Sequence, residues 1–188
     1  VFATQNTNQE WTQDVYRFWS SDLRTWKQEL AVAREDKNEH LFNTSVCRDE
    51  SGYLMAYEFS VGGSAHWAFR FARSQDLTKW VKIPDLTFAD LMEKSFCACP
   101  AIRYCAPYYY VIYGIEREKG VGRHYQYQLP TTKYAAAVAR SKDLVIWDVS
   151  PCRGPMLDPI LGEGINNTDA DLFEYGGNTY VYYGTGDQ

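Results

Sequence analysis

A chain of 188 residues and 21.7 kDa has the length of one ordinary domain, and a formal charge of −5 with a pI near 5.2 leaves no basic field to hold a nucleic-acid backbone or an anionic membrane surface. No apolar run reaches the ~18 residues of a membrane-spanning helix, and the opening VFATQNTNQEW lacks the cationic and apolar parts of a signal peptide. Aromatic residues are in excess (6 Trp, 15 Tyr, 9 Phe) and long helix-forming runs are missing, so the composition is that of a β-protein.

In chain order, the segment from Gln13 to Gln28 pairs an alternating strand pattern with the element SSDLRTW, Ser20 to Trp26, and reads as the closing half of a repeat unit. Residues 40–82 form a whole unit. It opens with FNTSVCRDESGYLMAYEF from Phe42, two strands split by a turn at Glu50-Ser51-Gly52, and continues through AFRFAR into SQDLTKW, Ser74 to Trp80. Residues 96–149 repeat the plan, with ACPAIRYCAPYYYVIYGI from Ala98, a turn at Ala106-Pro107, then AAAVAR and SKDLVIW, Ser141 to Trp147. Residues 166–188 open another unit, with TDADLFEYGGNTYVYYGT from Thr168 turning at Gly176-Gly177-Asn178. The one helix expected is short and lies within Phe88 to Lys94, between the two whole units.

The tyrosines that close these segments, Tyr57, Tyr113 and Tyr183, stand 56 and 70 residues apart. Strand, turn, strand, loop, strand, turn, strand at that spacing describes a four-stranded antiparallel blade, so the expected fold is all-β, a β-propeller. In each Ser-x-Asp-Leu-x-x-Trp element the Ser and Asp side chains are expected to bond nearby backbone amides, while Leu and Trp (Trp26, Trp80, Trp147) pack between neighbouring sheets. Four such units need more than 188 residues, so the ring is expected to be completed by a longer chain or by another subunit.

In a propeller the inner-strand starts, the loops between second and third strands and the inter-blade connections share one face. That rule gathers Asn43, Cys99, Asp169 and Asp171 from the inner strands, Glu58, His66, Arg117, Arg123, His124 and Asp187 from the loops, and His40 and Glu163 from the connections, around one axial pocket. The doublet of inner strand with glycine turn and Ser-x-Asp-Leu-x-x-Trp resembles the five-bladed propeller glycoside hydrolases, above all family 43 with its arabinofuranosidases, arabinanases and xylosidases. Thr168-Asp169-Ala170-Asp171-Leu172-Phe173, with Gly177 and Tyr180 to Gly184, is similar to that family's third inner strand, whose Asp tunes the catalytic acid. Cys99-Pro100-Ala101-Ile102 is similar to its second-blade Ala-Pro-Asp-Val, and Asn43-Thr44-Ser45-Val46 falls where the family carries Asp-Pro-Ser-Val, the Asp being the general base. The resemblance therefore implies an intact protein of five blades that cleaves glycosidic bonds by carboxylate acid/base catalysis with inversion, and its general acid, a Glu on a fourth inner strand, falls beyond Gln188.

Asn43 departs from that pattern, because an amide has no lone pair basic enough to take a proton from water; it remains able to bind a sugar hydroxyl. The catalytic candidates are Asp169, Asp171, which in a regular strand points the same way about 7 Å along, and two carboxylates placed to replace the missing base, Glu58 and Asp187. His66, His124 and Arg123 are candidate hydroxyl or phosphate contacts, and Trp67 and Tyr125 candidate platforms for the apolar face of a sugar. No cofactor is implied, although an Asp at the inner edge is also able to hold an axial Ca2+ ion. The five cysteines, Cys47, Cys97, Cys99, Cys105 and Cys152, are odd in number and form no paired knuckles of a zinc site, which fits reduced, buried thiols. Three functions follow from these residues: a glycoside hydrolase acting on poly- or oligosaccharide, a glycoside phosphorylase using Arg117, Lys119 and Arg123 for phosphate, and a non-catalytic carbohydrate-binding propeller.

Overall fold

The computed structural model describes residues 1–6, 13–61, 67–89, 97–116, 134–150, 156–157 and 166–186, and every regular element among them is a β-strand. The first sheet holds β1 (Phe2–Asn6), β2 (Gln13–Trp19) and β3 (Lys27–Val32). The second is a four-stranded antiparallel meander of β4 (Glu39–Asp49), β5 (Gly52–Val61), β6 (Ala68–Ser74) and β7 (Val81–Phe88). The third repeats it with β8 (Cys97–Cys105), β9 (Tyr108–Glu116), β10 (Tyr134–Ser141) and β11 (Trp147–Val149). A final hairpin, β12 (Asn166–Tyr175) and β13 (Asn178–Gly186), touches β10 through one parallel pair, Tyr134 with Asn166. This is the all-β propeller architecture of four-stranded antiparallel blades that the repeat predicts. Phe88 ends β7, and residues 90–94 of the expected helix lie outside the described residues.

Alternation explains the strands and turn chemistry their ends. All three inner-strand hairpins turn in two residues, at Glu50-Ser51, Ala106-Pro107 and Gly176-Gly177. Both turn positions of the last have positive φ, 60° and 77°, a backbone that glycine adopts without steric cost. In the Ser-x-Asp-Leu-x-x-Trp elements Asp22 Oδ1 accepts from the Arg24 and Thr25 amides, Asp76 Oδ1 from Thr78 and Lys79, and Asp143 Oδ1 from Val145 and Ile146, all at 2.8–2.9 Å. Those amides hold the three carboxyls below the usual range, Asp22 at about 2. The Leu of each element is pinned at positive φ, 58°, 62° and 64° for Leu23, Leu77 and Leu144. A leucine leaves the right-handed region only where its surroundings over-determine it, and here the Ser and Asp side chains do so.

Each seam between sheets has its own apolar core. Val15, Val32, Leu41, Met55, Tyr57 and Ala72 join the first sheet to the second, with Phe2 and Trp80 packed alongside. Leu54, Phe69, Phe71, Phe88, Ile102, Val111, Tyr113 and Ala135 join the second to the third. Ala101, Ile112, Ala136 and Ala170 join the third to the final hairpin. Trp80 and Trp147 pack as expected, Trp80 against Phe2 at 5.3 Å and Trp147 against Phe71 and Phe88 at 6.1 and 4.7 Å. Trp26 differs, standing 46% exposed beside the 77% exposed Leu23, because no other described sheet covers that side of the first one. No helix among the described residues is long and apolar enough to cross a membrane.

Candidate functional site

Each inner strand is irregular near its start. The pairing of β4 with β5 slips between Phe42 and Thr44, that of β8 with β9 between Ala98 and Ala101, and that of β12 with β13 between Thr168 and Asp171. The residues left outside the ladder are led by Asn43, Cys99 and Asp169, the three positions that the repeat aligns. At Cys99 and Asp169 the backbone enters the left-handed region, φ 52° and 53°, at a cost of roughly 1–2 kcal/mol per residue. Bulges of this kind re-aim side chains, and here they aim them at one place.

That place is a cavity of about 380 Å³ lined by Asn43, Thr44 and Ser45 of β4, Cys99 to Ala101 of β8, Asp169 to Asp171 of β12 and the Phe2 to Thr4 stretch of β1. Strands far apart in the chain thus meet around a common centre. A chain of polar contacts crosses the blades beneath it. Asn43 Nδ2 donates to Glu58 Oε2 at 2.9 Å and lies 3.4 Å from Cys99 Sγ. The Cys99 amide donates to the same Glu58 oxygen at 3.0 Å, and the Cys99 thiol reaches the Asp169 carboxylate. Thr168 Oγ1 donates to Asp169 Oδ2 at 3.1 Å.

The electrostatics follow from burial. Glu58 is 4% exposed, and desolvation pushes its carboxyl up to about 7; the Cys99 and Asn43 donors pull it back and the negative charge of Asp169 adds to the rise. The Cys99 thiol is held far above its usual value by burial and by the charges of Glu58 and Asp169, so it is a thiol and no nucleophile. Asp169 itself is exposed to the cavity.

The other sequence-derived candidates distribute as follows. Glu58 stands behind the cavity wall, against the backs of Asn43 and Cys99, and does not line it. Asp171 stands on the rim, and the bulge breaks the regular alternation that would have kept it in step with Asp169. Its carboxylate pairs with Arg103 Nη2 at 2.6 Å. Trp67 is half-buried with its edge against Phe42 at 4.8 Å, off the cavity wall. His66, Arg117, Lys119, Arg123, His124, Tyr125, Glu163 and Asp187 lie outside the described residues. The repeat alone missed β1, whose Phe2, Ala3 and Thr4 complete the wall and whose Phe2 carbonyl meets Thr44 Oγ1 at 3.5 Å. The one signal for β1 was the alternating FATQN stretch, too short to read by itself. Among the described residues no group of three or more His, Cys, Asp or Glu side chains is gathered for a metal ion, and none of Cys47, Cys97, Cys99 and Cys105 is in a disulfide.

No protein-family model matches the chain, and no curated protein matches it. Solved structures do. A protein described as a glycoside hydrolase aligns with a TM-score of 0.67 and 18% identity over 92% of this chain and 53% of its own. The family 32 β-fructofuranosidase of Bombyx mori aligns at 0.67 and 12% identity, over 96% of this chain and 39% of its own. The family 43 endo-arabinanase of Bacillus licheniformis gives 0.61 and 10%, over 98% and 68%. The chain thus spans about half the length of the first of these structures, and its fold is that of the β-propellers on which glycoside hydrolases are built.

Proposed function

We propose that this chain forms the substrate-binding face of a glycoside hydrolase, in which Asp169 is a reacting carboxylate and Asn43 a hydroxyl ligand. The observation that carries this reading is the convergence of three bulged inner-strand starts, Asn43, Cys99 and Asp169, on one cavity whose volume suits a small carbohydrate. Backbone strain repeated at equivalent positions around a pocket is a common mark of a site in use.

Hydrolysis with inversion needs a second carboxyl across the scissile bond, about 6.5–9.5 Å from the first so that a water fits between. Neither Glu58, sealed behind the wall, nor Asp171, tied to Arg103, stands free beside Asp169. Of the four carboxylates read from the sequence as catalytic candidates, the other is Asp187, which lies outside the described residues. Asp169 in its ionised form accepts from a sugar hydroxyl or from the attacking water, while Asn43 orients the ring.

The test is release of reducing sugar from arabinan and from sucrose, chosen from the named neighbours, by the protein and by Asp169→Asn. Hydrolysis that disappears in the variant supports the reading. A second reading, a carbohydrate-binding propeller without turnover, is favoured by the amide at Asn43. Saturable binding of these sugars by calorimetry, with no product and no effect of Asp169→Asn beyond affinity, supports it instead.

A further inference from the structure

We propose that Glu58 is a positioning residue whose single oxygen Oε2 gathers the Asn43 side chain of one blade and the Cys99 main chain of the next, and that it holds them against the cavity in its ionised form. The claim goes beyond the sugar-site reading and rests on it only for the consequence to turnover.

The geometry is unusual for a merely buried acid. Both donors, at 2.9 and 3.0 Å, converge on one oxygen, and they come from different sheets, β4 and β8, so the carboxyl bridges the seam directly under two of the three wall positions. One of those donors is the amide of a residue at φ 52°, a backbone conformation that needs holding. A carboxylate accepts such bonds about twice as strongly as a neutral acid, so charge and bulge geometry are linked.

The surroundings set the balance. The cross-strand neighbours of Glu58 are Phe42 on β4 and Phe69 on β6, both apolar, and its other neighbours on β4 and β8 are Asn43 and Cys99. Among the described residues, the titratable groups that face it are the Cys99 thiol and, from β12, Asp169. Both are negative when ionised. No described basic side chain forms an ion pair with Glu58. Desolvation and Asp169 favour the neutral acid while the two N–H donors favour the carboxylate, and the result is a group that changes charge close to pH 7. Above that pH the wall is held by two charge-assisted bonds. Below it the Cys99 turn and the Asn43 amide loosen together, and the thiol that reaches Asp169 moves with them.

The test uses the full chain with 15N-labelled cysteine and asparagine and 13C-labelled glutamate. In the wild type the Cys99 amide proton, the Asn43 side-chain NH2 and the Glu58 carboxyl carbon are expected to titrate with one shared midpoint near 7. In Glu58→Gln, which keeps an acceptor oxygen but has no charge to lose, the two N–H signals are expected to be flat. N–H signals that are flat in the wild type overturn the proposal. So do signals that titrate alike in both proteins, because they assign the change to a group other than Glu58. Where arabinan or sucrose is turned over, kcat/KM falls below a midpoint near 7 in the wild type, and that acid limb vanishes in Glu58→Gln. A protein with no turnover at all counts against the sugar-site reading alone, since the resonances decide the positioning role without it.

Discussion

The seam between the second and third sheets carries a buried carboxyl at each end, and the two are treated in opposite ways. At the hairpin end, the Asp49 side chain is 2% exposed and fully engaged: Arg73 Nη1 lies at 2.7 Å, the Ser51 amide at 2.7 Å, and the Tyr109 hydroxyl donates to it from the next sheet. Burial pushes its carboxyl up, but the Tyr109, Arg73 and Ser51 bonds together with the Arg73 charge hold it below its ordinary value, while burial first and the Asp49 bond second raise Tyr109 to about 12. At the open end Glu58 has two N–H donors and, among the described residues, no cation, and burial raises it to about 7. The first arrangement is what a seam needs to stay closed. The second leaves charge unsettled beside a cavity, which a structural role does not require. The difference separates the hairpin end of the seam, where a cation and a hydroxyl settle the buried charge, from the cavity end, where two N–H donors alone face it.

The largest effect is expected at the cavity end. Asp169→Asn should lower turnover by roughly 10²–10⁴-fold, the usual weight of a carboxylate in acid/base catalysis. Because Asp169 is exposed and the amide is isosteric, the melting temperature should barely move. Full activity in the variant would remove Asp169 from the mechanism and with it the contrast between the two ends. Next in size is Asp49→Asn, which strands Arg73 and Tyr109 with a weaker acceptor. Breaking a buried pair costs about 3 kcal/mol where, as here, one partner is partly open to water, read as a lower urea midpoint at constant slope. The pH profile of turnover should not change. A loss of activity out of proportion to stability would show that the hairpin end also serves the site.

Opposite shifts make opposite pH dependences. Asp49 has a depressed folded value, so its contribution is present above its ordinary value of 3.8 and is lost as pH falls through the folded one. Glu58 has a raised folded value, so stability is fully present below its ordinary 4.5 and declines as pH rises through about 7. Glu58→Gln removes that decline. Relative to the wild type it should gain roughly 2 kcal/mol between pH 4.5 and 7, within the limit of about 1.4 kcal/mol per pH unit. Paired thermal melts at the two pH values measure it. A constant difference between the proteins would place Glu58 in the same class as Asp49.

The repeat made the architecture legible because it is written in covalent spacing: the Ser-x-Asp-Leu-x-x-Trp elements and the tyrosines recur whatever the packing around them. The identity of the cavity positions was legible for the same reason, since Asn43, Cys99 and Asp169 align in the repeat and then meet in space. What sequence alone could not show is everything that depends on a broken period. A bulge inserts residues without marking them, so the slip at Thr168–Asp171 and the left-handed backbone at Cys99 left no trace in the alternation. Nor does alternation say that Glu58 would turn inward behind the wall, because the direction of a side chain at a strand end depends on the sheet that packs over it. Trp26 was misread for a related reason: the recurrence that buries Trp147 acts through a neighbouring sheet, and the first sheet has no described neighbour on that side.

The smallest expected effect falls on Asp171, and it tests the boundary between the two ends most finely. A regular strand would set its carboxylate beside that of Asp169, and the pair would then share one field as an acid and base do. The bulge instead sends Asp171 to the rim, where Arg103 binds it at 2.6 Å and also donates to the Leu172 carbonyl at 2.9 Å. The pair is 60% and 33% exposed, so solvent screens it and its loss should cost less than about 1 kcal/mol. Asp171→Asn should therefore shift the melting temperature slightly and change turnover less than tenfold. Since Arg103 also grips the chain at Leu172, Arg103→Ala should weaken the hold of β12 on β8 somewhat more than Asp171→Asn does. If Asp171→Asn instead abolished turnover as Asp169→Asn is expected to, the second carboxyl of the reaction would lie on the same strand as the first, and Arg103 would be the residue that sets its charge.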